Sequence, residues 1–271
     1  MKSNATSSQI HCYKEAPFFE IRHTQHSDRS YEMHAHPTLS IGFMRESSTL
    51  FSTPHGEFTL IPGALAVIEP YVQHSCNPLN NTKRSYVMVY IDVTYCMQIQ
   101  TKLFGASHAL FPLVSPLIFH QPLFERFEMM VEKLILGYDY LHVKAFESWL
   151  EEFFWLYSKP TTTFQKSATM HDIALFLENR LDESCSLQDL SKRFRINPFV
   201  LVRKFKAEFG CTPTHYWHDA RIHHAKKLLQ HNTPLSLCAQ YCGFVDQSHF
   251  HRFFKRRTAM TPKEYQVNFI Q

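Results

Sequence analysis

SLQDLSKRFRINPFVLVRKFKAEFGCTP (residues 186–213) and PLSLCAQYCGFVDQSHFHRFFKRRTAMTP (residues 234–262) are two copies of one pattern. Ser191 falls on Ala239, Arg195 on Gly243, Leu201 on Phe250, Arg203 on Arg252, Phe205 on Phe254, Lys206 on Lys255 and Pro213 on Pro262. The offset is 48 before the turn and 49 after it, so the second copy carries one extra turn residue. Each copy predicts a short helix, a tight turn and a longer basic helix, which is the helix-turn-helix pattern.

Helix ends are written into the same stretch. Ser186 with Asp189, and Thr261 with Glu264, have the spacing of capping boxes. Asn197-Pro198, Thr212-Pro213, Thr233-Pro234 and Thr261-Pro262 each place a capping side chain before a proline suited to the first helical position. Gly243 suits a left-handed turn, where other residues meet a steric penalty, and Arg195 occupies the same place in the first copy.

The repeat, the intervening RIHHAKKLL, the CGF turn and the FFKRRTAMTPKEY ending together resemble the DNA-binding domain of AraC/XylS-family transcription regulators. The resemblance is specific because two units, the helix between them and the spacing agree. It implies a sequence-specific regulator that binds double-stranded promoter DNA, acts with RNA polymerase, activates more commonly than it represses, and forms a homodimer. No cofactor is expected.

At 271 residues the chain can hold two domains, each with its own core. A hydrophobic content of 44% with 14% aromatics excludes disorder. The start, MKSNATSSQIHCYK, lacks the apolar core of a signal peptide, and no apolar run is long enough to span a membrane, so a cytoplasmic protein without membrane association is expected. Seven cysteines without paired metal-site spacing read as reduced thiols. Residues 1–168 carry 13 Lys and Arg against 15 Asp and Glu, a net of −2, whereas residues 169–271 carry 15 against 9, a net of +6. The basic half is the half with the repeat, as binding to a polyanion requires.

Residues 17–95 read as short strands. Phe19, Ile21 and His23 alternate with Glu20, Arg22 and Thr24; Leu39, Ile41 and Phe43 alternate with Ser40 and Gly42; Tyr86, Met88 and Tyr90 alternate with Val87, Val89 and Ile91. Closely spaced strands suggest a sandwich or small barrel. The stretches EMHAHPTLSIGF and IPGALAVIEPYVQHSCNP resemble the cupin-type sensor barrel of AraC-family regulators. Two apolar stripes follow, Leu123, Phe127, Met130, Val131 and Leu134, then Phe146, Trp149, Leu150, Phe153 and Tyr157; they predict helices that cover the barrel, and the family resemblance implies that one stripe also meets a partner subunit. The expected fold is multi-domain α+β. A cupin-like β-barrel with flanking helices, for ligand sensing and dimerisation, spans residues 1–158. A polar linker follows at 159–168, and an all-α DNA-binding domain with two helix-turn-helix units at 169–271.

Within the repeat, Leu201, Phe205 and Phe209 should pack inward and leave Phe199, Val202, Arg203 and Lys206 on another face. Phe250 and Phe254 should do the same for Ser248, His251, Arg252 and Lys255. Arginine can bind guanine through two parallel hydrogen bonds in the major groove, which makes Arg203 and Arg252 the first base-reading candidates. Phe199 and Val202 can offer apolar contact to thymine methyls, and Gln247 can bind adenine or phosphate. Lys206, Lys255, Arg256 and Arg257 suit phosphates, which give affinity without sequence information. The helix between the units, about residues 213–230, would span roughly 27 Å at 1.5 Å per residue, which suits reading helices about one DNA turn apart.

His34 and His36, two apart, would point to one face of a strand, and the likeness to cupins brings His74 to them at the barrel mouth. These imidazoles, with Tyr86, Met88 and Tyr90 as apolar walls, are expected to orient an acidic or hydroxylated small-molecule effector. Three imidazoles also suit zinc, nickel, copper or iron, and Cys238 and Cys242 lie one helical turn apart, so a metal- or redox-responsive regulator is the alternative. A cupin enzyme is a further alternative. The glutamate that metal-binding cupins carry beyond the HxH pair is missing, with Ser40 or Ile41 in its place, so no enzyme is expected.

Overall fold

Alternating apolar residues in the first half build two packed sheets, and the computed structural model describes them within residues 6–105, 110–160, 167–183 and 185–270. Strands β1 (Ser7–Tyr13), β2 (Ala16–Ser27) and β3 (Leu39–Glu46) open the chain; β4 (Thr49–Thr53), β5 (Gly56–Leu60), β6 (Leu65–Ile68), β7 (Ser75–Pro78) and β8 (Arg84–Ile91) follow. Helix α1 (Val93–Phe104), the short β9 (Leu117–Ile118), α2 (Gln121–Leu136) and α3 (Tyr140–Tyr157) complete this half. With β10 (Phe269–Ile270) from the far end of the chain, one sheet runs β10-β1-β2-β8-β3-β6-β9, and the other runs β5-β4-β7.

The large sheet has two different faces. On one, Ile21, Leu39, Ile41, Val87, Val89 and Ile91 pack against α2 and α3 in a continuous apolar core. Both predicted helix stripes lie there: Leu123, Phe127, Val131, Leu134, Phe146, Leu150 and Phe153 are fully buried, and Tyr157 is partly buried against them. Apart from Tyr157, the stripe side chains are spent on the core of this chain and offer no surface to a partner. What α2 and α3 expose instead is Met129, Leu136, Leu141 and Trp155. The alternation along β2 holds, but its polar side is not open to solvent, since Arg22 and Thr24 are buried. Their face is covered by the second half of the chain, where Arg22 Nη1 donates to the Thr258 carbonyl at 2.8 Å.

That second half is helical: α4 (Ala168–Glu178), α5 (Leu187–Phe194), α6 (Pro198–Phe209), α7 (Pro213–Gln230), α8 (Leu235–Tyr241), α9 (Gln247–Thr258) and α10 (Pro262–Val267). Both capping boxes form as the spacing predicts, and Asn197 and Thr212 cap α6 and α7 with proline behind them. Thr233 is the exception, because α8 starts one residue later with Pro234 in the cap position and no side-chain cap bond. Arg195 and Gly243 both take the left-handed conformation, with φ of 52° and 65°. Glycine is required at the second position, where a Cβ would come within 2.4 Å of the Leu181 carbonyl oxygen. Of the expected linker, residues 161–166 lie outside the described residues; before them Lys159 N donates to the Pro112 carbonyl at 2.8 Å.

The two halves meet over a broad polar and apolar contact. Ile10 N donates to the Asn268 carbonyl at 2.9 Å, β10 runs parallel to β1, and Ile10 belongs to the core of the second unit. The loop between β2 and β3 is bonded to α7 and α9 along its backbone. Ala35 N–H donates to Asp219 Oδ2 at 3.0 Å, and Arg257 Nη1 donates to the Met33 carbonyl at 2.6 Å while lying 3.4 Å from Asp219 Oδ1. Both side chains are over nine-tenths buried, and burial pushes the Asp219 carboxyl up to about 6 against the pull of Arg257. Arg257, expected at a phosphate, is instead an internal tie.

Removing one partner of a buried ion pair leaves an uncompensated charge. Arg257→Ala should therefore destabilise the full chain by about 3–5 kcal/mol. Urea denaturation at pH 7.5 checks this; a loss below about 1 kcal/mol would mean that the halves separate and hydrate Asp219 at little expense.

Candidate functional site: an enclosed cavity and two basic helix faces

Between the two sheets lies a narrow cavity of about 40 Å³. As it stands it has room for a few waters, so a larger ligand has to displace side chains of the wall. All six residues expected at the effector site line it: His34, His36, His74, Tyr86, Met88 and Tyr90. The strand period explains the last three, since successive odd steps along β8 put Val87, Val89 and Ile91 into the helix-side core. Gly42 on β3 allows Met88 its place, because a Cβ there would lie 2.0 Å from the Met88 sulfur.

The histidines converge by another route than expected. His34 makes an isolated bridge with His74, and His36 stands in the loop before β3, so the HxH pair is not on a regular strand. The ring centroids of His34 and His36 are nevertheless 4.4 and 4.8 Å from that of His74. Each Nδ1 faces a backbone carbonyl: His34 to Glu32 at 2.8 Å, His36 to Thr38 at 3.1 Å and His74 to Val72 at 2.9 Å. Carbonyls only accept, so at His34 and His74 Nδ1 carries the proton and Nε2 keeps its lone pair, whereas the Nδ1 of His36 also meets the Thr38 hydroxyl at 3.0 Å. Burial holds the His34 and His36 rings well below the usual histidine range, with the His74 ring adding to it, and burial lowers His74 to about 4. The site is thus lined by neutral imidazoles at physiological pH. Among the described residues no group of three His, Cys, Asp or Glu has the arrangement of a metal site.

The composition of the wall includes residues that strand patterning did not single out. Tyr31 exchanges a hydrogen bond with Tyr86 through their hydroxyls at 2.7 Å. Arg84, at the start of β8, is in the wall and 1% exposed. The period-two rule that linked Tyr86, Met88 and Tyr90 extends back to Arg84 and could have found it. Cys238 and Cys242, the redox alternative, are fully buried in the second core, and burial raises their thiols to about 11 and about 12. Such thiols form little thiolate and react slowly.

On the helical half, α6 and α9 bury equivalent residues, Leu201, Phe205 and Phe209 on one and Phe250 and Phe254 on the other. Phe199, Arg203, Lys206, Gln247, Ser248, His251, Arg252, Lys255 and Arg256 are exposed, and Val202 is half-buried. Phe199 is 85% exposed, which excludes ordinary packing for it within this chain. Val245, the extra turn residue before α9, is 89% exposed and lacked any repeat partner to mark it. Arg256 has a second engagement, its Nε lying 3.7 Å from Glu32 Oε1 on the loop between β2 and β3. No described helix is long and apolar enough to cross a membrane.

Comparison with known proteins finds two family matches, an AraC-like ligand binding domain over residues 17–148 and a helix-turn-helix domain over residues 190–268. The chain is 28% identical over 236 residues to YbfI of Bacillus subtilis strain 168, described as an uncharacterized HTH-type transcriptional regulator, with 82% of each chain covered. It is 36% identical over 90 residues to the HTH-type transcriptional activator RhaR of Salmonella dublin, covering 33% of this chain and 32% of RhaR. Among solved structures, unsaturated fatty acid bound ToxT of Vibrio cholerae matches with a TM-score of 0.64 over 98% of this chain and 97% of ToxT. At 15% identity that likeness is one of fold.

The cavity histidines make acid a destabilising condition. They are held neutral in the fold, whereas in the unfolded chain they protonate near 6.5, so between that value and the lowered native ones the unfolded state binds more protons. Stability should fall as pH drops through this window, and His23 and His218, also lowered to about 4, act in the same sense. The thermal midpoint should be lower at pH 5 than at pH 7.5, with a smaller gap in His74→Gln. An equal gap in that variant would remove His74 from the account.

Proposed function

The chain belongs to the AraC family of DNA-binding transcription regulators, and on that premise we propose that it activates transcription in response to a small molecule held in the barrel cavity. One observation carries the DNA half of this reading. Helices α6 and α9 bury the same apolar register and expose the same basic one, so Arg203 and Arg252 stand at equivalent points of two reading helices. Two such helices on one rigid connector, the 18-residue α7, suit two adjacent major-groove segments on one side of the duplex.

In this reading Arg203 and Arg252 contact base edges, while Phe199, Val202, Gln247, Ser248 and His251 supply further groove contacts. Lys206, Lys255 and Arg256 neutralise phosphates. Activation rests on the similarity of the helical third to an activator, and it implies contact with RNA polymerase. Binding rather than catalysis is assigned to the cavity, with neutral imidazoles orienting the effector's polar groups. Residues 1–158 carry sensing and dimerisation, the latter through the surface that Met129, Leu136 and Leu141 leave exposed, and residues 169–271 carry DNA binding. Two copies on paired half-sites gain affinity through effective concentration.

Arg203→Ala and Arg252→Ala should each weaken specific binding by roughly 1–3 kcal/mol and relax preference at a different base position. Lys255→Ala should weaken all sequences alike and flatten the salt dependence. Footprinting with a randomised-site binding profile separates these outcomes, and a profile unchanged in both arginine variants would reject the register. His36→Ala or His74→Ala should abolish the effector response in a reporter assay while DNA binding by the protein persists.

A further inference from the structure

The cavity holds one formal charge that nothing in its wall balances. Arg84 opens β8, and the strand period turns it to the same side as Tyr86, Met88 and Tyr90. Its Nη2 donates to the Arg29 carbonyl at 3.0 Å and to the Cys76 carbonyl at 2.8 Å, which fixes the guanidinium plane. The carbon at its centre lies 5.4 Å from the Tyr86 ring centroid. Its Nη1 is buried and has no hydrogen-bond partner. No aspartate or glutamate is among the cavity residues, and Arg84 takes part in no ion pair among the described residues. The nearby imidazoles are held neutral and cannot balance it either.

Resting on the reading of this cavity as the effector site, we propose that the effector is a monocarboxylate with an apolar body, anchored on Arg84 Nη1. Arg22, Arg45 and Arg257 also leave a buried Nε unfilled, but among the described residues Arg84 alone leaves a buried terminal Nη without a partner, and it does so in the cavity wall, where an empty donor on a charged group is expensive to keep. A carboxylate supplies both the missing acceptor and the missing charge, and such charge-assisted bonds are the strong ones. The hydroxyls of Tyr31 and Tyr86 are in the same wall for its second oxygen. A dianionic phosphate would bring more charge than one arginine balances. The remaining wall, with Phe43, Met44, Leu60, Ile68 and Met88, is apolar and calls for a hydrocarbon or aromatic body.

Calorimetric titration of the full chain at pH 7.5 with octanoate and 3-phenylpropanoate, against octanamide and 3-phenylpropanamide, tests this directly. At least one acid should bind about tenfold or more tightly than its amide. Arg84→Gln should remove that preference by weakening the acid alone, and Arg84→Lys should restore part of it. The acid–amide comparison uses the natural protein, so it decides the matter even if R84Q fails to fold. Amides that bind as tightly as acids, or an acid affinity unchanged in R84Q, would overturn the carboxylate while leaving the cavity as the effector site. Acid binding that survives filling the cavity by Ile68→Trp, or no binding by either class, would overturn both.

Discussion

The buried pairing of Asp219 with Arg257 is the constraint on which the arrangement of the two halves depends. Neither group meets enough water to be hydrated, and the pair alone does not satisfy them. Asp219 needs the Ala35 N–H, and Arg257 needs the Met33 carbonyl. Both completing groups are backbone atoms of the barrel, on either side of His34. The helical half therefore cannot leave the barrel without exposing or stranding two charges, and residues 33–35 cannot shift without disturbing the same bonds. The imidazole between those two anchors is part of the cavity wall. One short loop thus faces the enclosed site with its side chains and the DNA-binding half with its main chain.

The attachment is unequal between the two helix-turn-helix units. The second is tied at many points: Arg22 to the Thr258 carbonyl, Arg29 to the Ala259 carbonyl and to Glu264 at 2.7 Å, Glu32 to Arg256, and β1 to β10. The first unit meets the barrel chiefly through Tyr71, which stacks on Tyr216 with centroids 5.0 Å apart and donates to Glu178 at 3.3 Å. Tyr71 holds a left-handed φ of 65°, an uncommon state for an aromatic residue, and its N–H is bonded to the His36 carbonyl at 2.8 Å. The second unit is thus bonded directly to residue 33, the connecting α7 to residue 35, and the first unit is reached from His36 by way of Tyr71.

What could be read without coordinates follows the range of the forces involved. Helix ends depend on residues three or four apart, so the caps at Ser186, Asn197, Thr212 and Thr261 were legible, as was the two-unit register that exposes Arg203 and Arg252. Features set by contact across the chain were not. The burial of Arg22 and Thr24 and the pairing of β1 with β10 come from docking of the second half on the first. Arg257 looks like its neighbours Lys255 and Arg256 in sequence, yet one step around α9 turns it from the basic face to Asp219. The six cavity residues were found from strand period and the cupin likeness, although the histidines arrive on a loop. Arg84 obeys the same period two residues before Tyr86 and was not picked out by it.

Charge placement ties these observations together. Around the cavity, burial strips the histidines of protons, while the Arg84 guanidinium keeps one donor unfilled. At the contact between the halves, Arg257 spends its terminal Nη1 on a carboxylate and a carbonyl and leaves its buried Nε without a partner. The two guanidiniums sit on opposite sides of the loop between β2 and β3: Arg84 holds the carbonyl of Arg29 near its start, and Arg257 holds that of Met33. An acceptor at the open Nη1 leaves the Nη2 bonds to the carbonyls of Arg29 and Cys76 in place, and the Arg29 side chain in turn bonds Glu264 and the Ala259 carbonyl, just past the end of α9. The cavity wall and the end of the reading helix are thus joined by a few hydrogen bonds between buried or half-buried groups, where such bonds are least screened by water.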